Sequence, residues 1–252
     1  MRSFFLAIFF ACMCMLNAQE YVQYESIYLK PDTKSLATLA KNMKAHNDKY
    51  HSENPYHANV WQVINGPKAG WLVWIMGPST FREMDARPAE GGHDDDWQNN
   101  VMPYVVDMGN IEYWRRFEEV SILGDPQPNL KVRFYQVNND MGFLVDEIWE
   151  KMSKVRSEMP EGRSWALYNN MFQQGNMGRH FAGVTPFKNM AELDNGMNLD
   201  PSASGTFRKT FERIYGPEAW QPFQNAMRSA FVNSYDEVWA LMPNMSAPPT
   251  DN

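Results

Sequence analysis

The densest group of polar donors in this 252-residue sequence is His93-Asp94-Asp95-Asp96, set behind Gly91-Gly92. Oxygen ligands on a glycine-rich loop can hold calcium or magnesium, which makes His93, Asp94 and Asp95 the candidate metal ligands. The run lacks the alternating D-x-D-x-D-G spacing and its distal glutamate. Asp96 also opens a helical stretch, where acidic side chains cap free amides and complement the helix dipole. Capping is therefore the preferred account, and no resident metal is expected. His46, His51 and His57 lie close in sequence, but His46 and His51 are five apart and miss the i, i+4 spacing of a helical zinc pair. They read as solvated histidines at a helix end, with His46 or Asn47 reaching toward a cavity. His180, beside Arg179, starts a strand and reads as an edge histidine.

Arg115 and Arg116 fall in an alternating run, so they point to opposite faces. Tyr113, Arg115 and Phe117 share one face, where Arg115 could hold an anionic ligand or pair with Glu118 or Glu119. Trp71 and Trp74 are likewise on opposite faces of a strand, and one of them should line an internal cavity. The expected cavity residues are thus Trp74, Arg115, His46 and His180.

Several chemistries are excluded. Both cysteines, Cys12 and Cys14, precede residue 19, and the chain carries no G-x-S-x-G elbow, P-loop, dinucleotide fingerprint or H-E-x-x-H motif. Arg2 and the apolar run from Phe4 to Leu16 read as a secretory signal peptide cut between Ala18 and Gln19. The run is too short to span a bilayer. Export to the periplasm or medium of a bacterium is the expected location, with no membrane anchor after cleavage. Cleavage would remove all thiols and take the 23 basic residues to 22 against 30 acidic ones, a formal charge of −8. Such a chain lacks the basic stripe of a nucleic-acid binder. Its 9 Trp, 11 Tyr and 15 Phe can fill a large core or wall a ligand cavity.

The elements that must position these residues come in two sets. Val22 to Leu29 alternates as a strand, and Leu36, Leu39, Ala40, Met43 and Tyr50 mark a helix that Asn54-Pro55 ends. A hairpin, Val60–Ile64 and Trp71–Met76, precedes a helix over Asp96–Met108 with a kink at Pro103, and Glu112–Ser121 is a fourth strand. After a linker at 124–129 the order repeats. Leu130–Val137 is a strand, Leu144 to Val155 a helix, and Ser164–Met171 and His180–Val184 a strand pair. A helix over Thr206–Val232, broken at Gly216-Pro217, and a strand over Tyr235–Met242 complete the set. The stretches Trp71–Asp85 and Phe181–Asp194 share strand, Pro, Phe, short helix, Met and Asp. The expected units are a signal peptide at 1–18, a first ferredoxin-like repeat at 19–123, the linker, a second repeat at 130–243 and a disordered tail at 244–252.

Two β-α-β-β-α-β units of this kind resemble the dimeric α+β barrel superfamily, here as an α+β fold of two fused ferredoxin-like repeats forming a pseudo-dimeric barrel in one chain. The superfamily includes antibiotic-biosynthesis-type monooxygenases, stress-responsive barrels, haem-degrading enzymes and chlorite-dismutase-like haem proteins. The resemblance implies an aromatic-lined cavity binding a small molecule, with monooxygenase-like action on an apolar or aromatic compound and no cofactor. A non-catalytic structural or interaction protein of the envelope is the alternative, and a haem-binding barrel a lesser one. Nothing in the sequence sets the oligomeric state.

Overall fold

The computed structural model describes residues 21–87, 91–159, 164–196 and 206–250. The leader and its expected cleavage point after Ala18 lie outside them. Eight antiparallel strands close into one barrel in the order β1-β3-β2-β8-β5-β7-β6-β4, with β4 returning to pair with β1. The first half supplies β1 (Val22–Pro31), β2 (Ala58–Asn65), β3 (Leu72–Ser79) and β4 (Val105–Arg116). The second supplies β5 (Asn129–Val137), β6 (Ala166–Asn170), β7 (Phe181–Phe187) and β8 (Phe231–Leu241). Each half is arranged fourth-first-third-second, the ferredoxin-like order. The halves meet at two seams, β2 with β8 and β4 with β6, so neither sheet keeps a free edge.

Strand alternation divides the core into layers. Along β1, Tyr28 faces the barrel interior with Val73, Trp114, Val132, Phe134 and Trp239. Its neighbours Ile27 and Leu29 face outward, beneath Leu39 and Met43 of helix α1 (Leu36–Tyr50). Both faces of the strand are covered, which is why Glu25 through Leu29 are all buried. Over the second half lie α4 (Val145–Ser157), α6 (Thr206–Tyr215) and α7 (Trp220–Ala230), packed through Trp149, Phe211 and Phe223. Three short helices, α2 (Phe81–Asp85), α3 (His93–Asp96) and α5 (Glu192–Gly196), sit on connections. None of the helices among the described residues is long and apolar enough to cross a membrane.

Four expectations are corrected. Val105–Met108, read as the end of a helix, is the start of β4, because Pro103 closes a single 3₁₀ turn and Val105 then pairs with Pro31 of β1. That strand ends at Arg116, short of the expected Ser121, and Glu118 through Val120 form a turn. Phe231–Ser234, read as helix and gap, belongs to β8, where pairing with β5 from Val137 to Tyr135 overrides local pattern. The tail expected to be disordered from 244 is seated through residue 248. Met245 is buried in the α1 layer, its carbonyl accepts from Asn47 Nδ2 at 2.6 Å, and Ala247 N donates to Ala58 O.

Candidate functional site

The barrel interior holds a cavity of about 210 Å³. Tyr24, Trp61, Trp114, Phe134, Tyr168 and Trp239 wall it, with Ile75, Leu130, Val132, Ala182 and Val184 between them. Arg179, just before β7, is its cation, with 12% of the side chain exposed. Nε and Nη2 donate to the two oxygens of Glu112 at 2.7 and 2.6 Å, and Nη1 donates to Tyr235 Oη at 2.9 Å. The guanidinium lies 3.9 Å from the Phe134 ring centroid. Burial alone would lower the Arg179 pKa, but Tyr28 and Glu112 outweigh it and hold it well above the ordinary value. The charge of Arg179 is therefore matched inside the wall. Ser26 differs: it is one of the lining residues, and its hydroxyl is buried with no hydrogen-bond partner.

A second group lies on the outer face of the same strands, beneath α1. The rings of His46, His51 and His93 stand with centroids 5.2, 5.0 and 5.1 Å apart in pairs. One nitrogen of each lies within 4.8 Å of the others. His46 Nδ1 donates to Asp96 Oδ2 at 2.7 Å, His51 Nδ1 to the Tyr56 carbonyl at 2.9 Å, and His93 Nδ1 to Asp94 Oδ1 at 2.9 Å. The Nε2 atoms of His51 and His93 are 3.1 Å apart, while His46 Nε2 is buried without a partner. Trp74, Trp97 and Tyr50 pack against these rings. Burial pushes the His51 pKa down to about 3 and also lowers that of His46.

Local chain geometry brings the three together. His51 is five residues past His46, but α1 stops at Tyr50. His51 therefore leaves the helical path with φ −133° and swings back toward His46. Gly91 and Gly92 adopt φ of 81° and 77°, left-handed values that favour glycine, and turn His93 inward. A π-helical turn over Trp97–Val101 follows α3, whose last residue Asp96 reaches His46. The side-chain capping expected of this run is not formed: Gly92 occupies the cap position, Asp94 to Asp96 lie in the first turn where they complement the helix dipole, and Asp96 bonds His46.

Of the expected cavity residues, His46 and Trp74 come together at the histidine cluster, on the far side of the sheet from the cavity. Arg115 is exposed, its guanidinium 5.5 Å from the Phe117 ring centroid. His180 lies in the second half, where Nδ1 accepts from Val137 N at 3.2 Å and Gly175 supplies a further backbone hydrogen bond. None of the four lines the barrel cavity. Asp94 and Asp95 are exposed. His57 stands apart, its Nε2 donating to Pro248 O. Sequence reasoning missed Ser26, Glu112 and Arg179, although the Tyr24-Ser26-Tyr28 alternation pointed one face of β1 to a common side.

No protein-family model and no curated protein matches the sequence. Solved structures do match. An anthrone oxidase-like protein is similar over 89% of this chain and 92% of its own, with a TM-score of 0.57 and 8% identity. A protein named as a monooxygenase from Lactobacillus acidophilus gives 0.51 at 10% identity, covering 88% of this chain and 94% of its own. Chlorite dismutase from Candidatus Nitrospira defluvii, in complex with imidazole, gives 0.54 at 6%, covering 88% and 92%. These likenesses, with the strand order, identify the fold: the chain folds as the α+β barrel of the dimeric α+β barrel type, with both ferredoxin-like halves supplied by one polypeptide.

Proposed function

We propose that this is an exported barrel protein that binds an uncharged aromatic or apolar small molecule inside the barrel, with monooxygenase-like chemistry on that compound. The observation that carries the binding is the cavity: six aromatic walls, a neutralised Arg179–Glu112 pair and one buried hydroxyl, Ser26, without a partner. A cavity of roughly 150 Å³ holds benzene, so about 210 Å³ suits one or two rings. Ser26 favours a ligand bearing one hydroxyl or carbonyl, since an unmet buried polar group costs ~1–3 kcal/mol. The oxygenation part is supported by the names that similar barrels carry.

The test uses 1-naphthol and naphthalene with the mature chain. Both should quench the fluorescence of Trp61, Trp114 and Trp239 in a saturable way. Ser26→Ala should weaken 1-naphthol by about 2- to 13-fold, the worth of one neutral hydrogen bond, and leave naphthalene unchanged. Ala182→Leu, which fills the cavity, should abolish both. Absence of saturable quenching, or binding unaffected by Ala182→Leu, would remove the interior site. Incorporation of label from ¹⁸O₂ into a bound phenol tests the reaction separately.

A further inference from the structure

The histidine cluster stands apart from the interior cavity, across the sheet, and its protons do not balance without a cation. Carbonyl and carboxylate oxygens only accept, so the partners of the three Nδ1 atoms fix a hydrogen on each: Asp96 on His46, Tyr56 O on His51 and Asp94 on His93. A neutral imidazole with its hydrogen on Nδ1 carries a lone pair on Nε2. His51 and His93 therefore bring two lone pairs to 3.1 Å, and the buried, unpartnered Nε2 of His46 brings a third. A shared proton would serve one pair only. It would also leave an imidazolium desolvated among Trp74, Trp97 and Tyr50.

We propose that the Nε2 atoms of His46, His51 and His93 bind one divalent first-row transition-metal ion, with Zn²⁺ as the reference ion, and leave a fourth coordination position open. Three imidazole nitrogens select this class over calcium and magnesium, which take oxygen. Tetrahedral ligation at ~2.0–2.1 Å sets nitrogens about 3.3–3.4 Å apart, near the 3.1 Å between His51 Nε2 and His93 Nε2, and one ring nitrogen of each of the three histidines lies within 4.8 Å of the others. Each ligand already holds the outer partner that fixes tautomer and ring orientation in metal sites. Two of those partners are the carboxylates of Asp94 and Asp96, whose charges match a dication. Three protein ligands plus one free position is the arrangement of sites that bind water or substrate on the metal. The His93 side chain, 14% exposed, lies at the solvent side, whereas that of His46 is fully buried.

Untagged mature chain, stripped with a chelator, is titrated with Co²⁺ and then Zn²⁺. One Co²⁺ per chain should give the intense visible bands of four-coordinate cobalt and quench Trp74 and Trp97, and Zn²⁺ should displace it. His93→Ala should lower Zn²⁺ affinity by at least the ~100-fold that tops the loss of an outer partner, and Asp96→Asn by ~10–100-fold. His57→Ala, outside the cluster, should bind as the parent does. Should His93→Ala fail to fold by circular dichroism, His93→Gln is read in its place. The proposal is overturned if the parent takes up no Co²⁺ or Zn²⁺, or if a folded His93 variant keeps parental affinity. 1-Naphthol quenching retained in the His93 variant separates this site from the interior one.

Discussion

At the residue scale, charged groups far apart in sequence are committed to each other. Arg179 and Glu112 face each other inside the barrel, with side-chain exposures of 12% and 3%. Removing one charge strands the other, so Glu112→Gln should cost about 3–5 kcal/mol in urea unfolding. The double change Glu112→Leu with Arg179→Met should cost clearly less. Asp236 offers a pH test away from both sites. Burial pushes its carboxyl up, but the fork of Arg133, at 2.6 and 2.7 Å, outweighs this and lowers it below its ordinary value of 3.8. A folded-state pKa below the unfolded one gives stability that is present above pH 3.8 and lost as pH falls through the lowered value. Asp236→Asn should flatten that acid limb in denaturation curves taken between neutral pH and pH 2; an unchanged limb would contradict it. These groups were hard to read from sequence. Arg179 looked like the companion of a strand-end histidine because its partner, Glu112, is 67 residues away.

At the element scale the work is done by where helices stop and which strand face is turned in. The five-residue spacing of His46 and His51 separates them only on a helix that runs past both; α1 ends at Tyr50, and the two rings meet. Asn54-Pro55 was the visible stop signal, and it did mark the helix end to within a few residues. The alternation of Trp71 and Trp74 was legible and correct in sense: Trp71 packs against the interior cluster and Trp74 against the outer one. What pattern alone could not supply was which face enclosed the cavity. Val105–Met108 failed for a related reason, since pairing with β1 decides that segment and local periodicity does not. The seated C-terminal segment gives a direct check. Met245 is 1% exposed within the α1 layer, so Met245→Ala should cost about 2–5 kcal/mol, read as a fall in Tm. A change within error would mean that the segment does not pack there. Gly92→Val should leave the barrel intact by circular dichroism yet weaken Zn²⁺ binding, because a β-branched residue resists the 77° φ that turns His93 inward.

At the scale of the whole molecule, the two-set order of elements was readable from the sequence and so was the barrel they form, because β-α-β-β-α-β twice over leaves each sheet with an edge that the other can cover. Separated halves should therefore not persist as folded monomers. A fragment ending within 124–128 should dimerise or aggregate on size exclusion, whereas a monodisperse folded monomer would contradict the closed-barrel account. The mature chain should begin at Gln19 by intact mass when expressed with its leader in a bacterial host. The barrel wall then separates two chemistries: an aromatic cavity inside, and three imidazoles outside on the same β1–β3 surface. The most direct measurement of the central claim is a crystal of the mature chain soaked with 6-bromo-2-naphthol and recorded at the bromine edge. The account predicts an anomalous peak inside the barrel, among Trp114, Phe134 and Trp239, with the naphthol oxygen within hydrogen-bond reach of Ser26. A peak only on the outer surface, or none at a concentration that saturates quenching in solution, would contradict it.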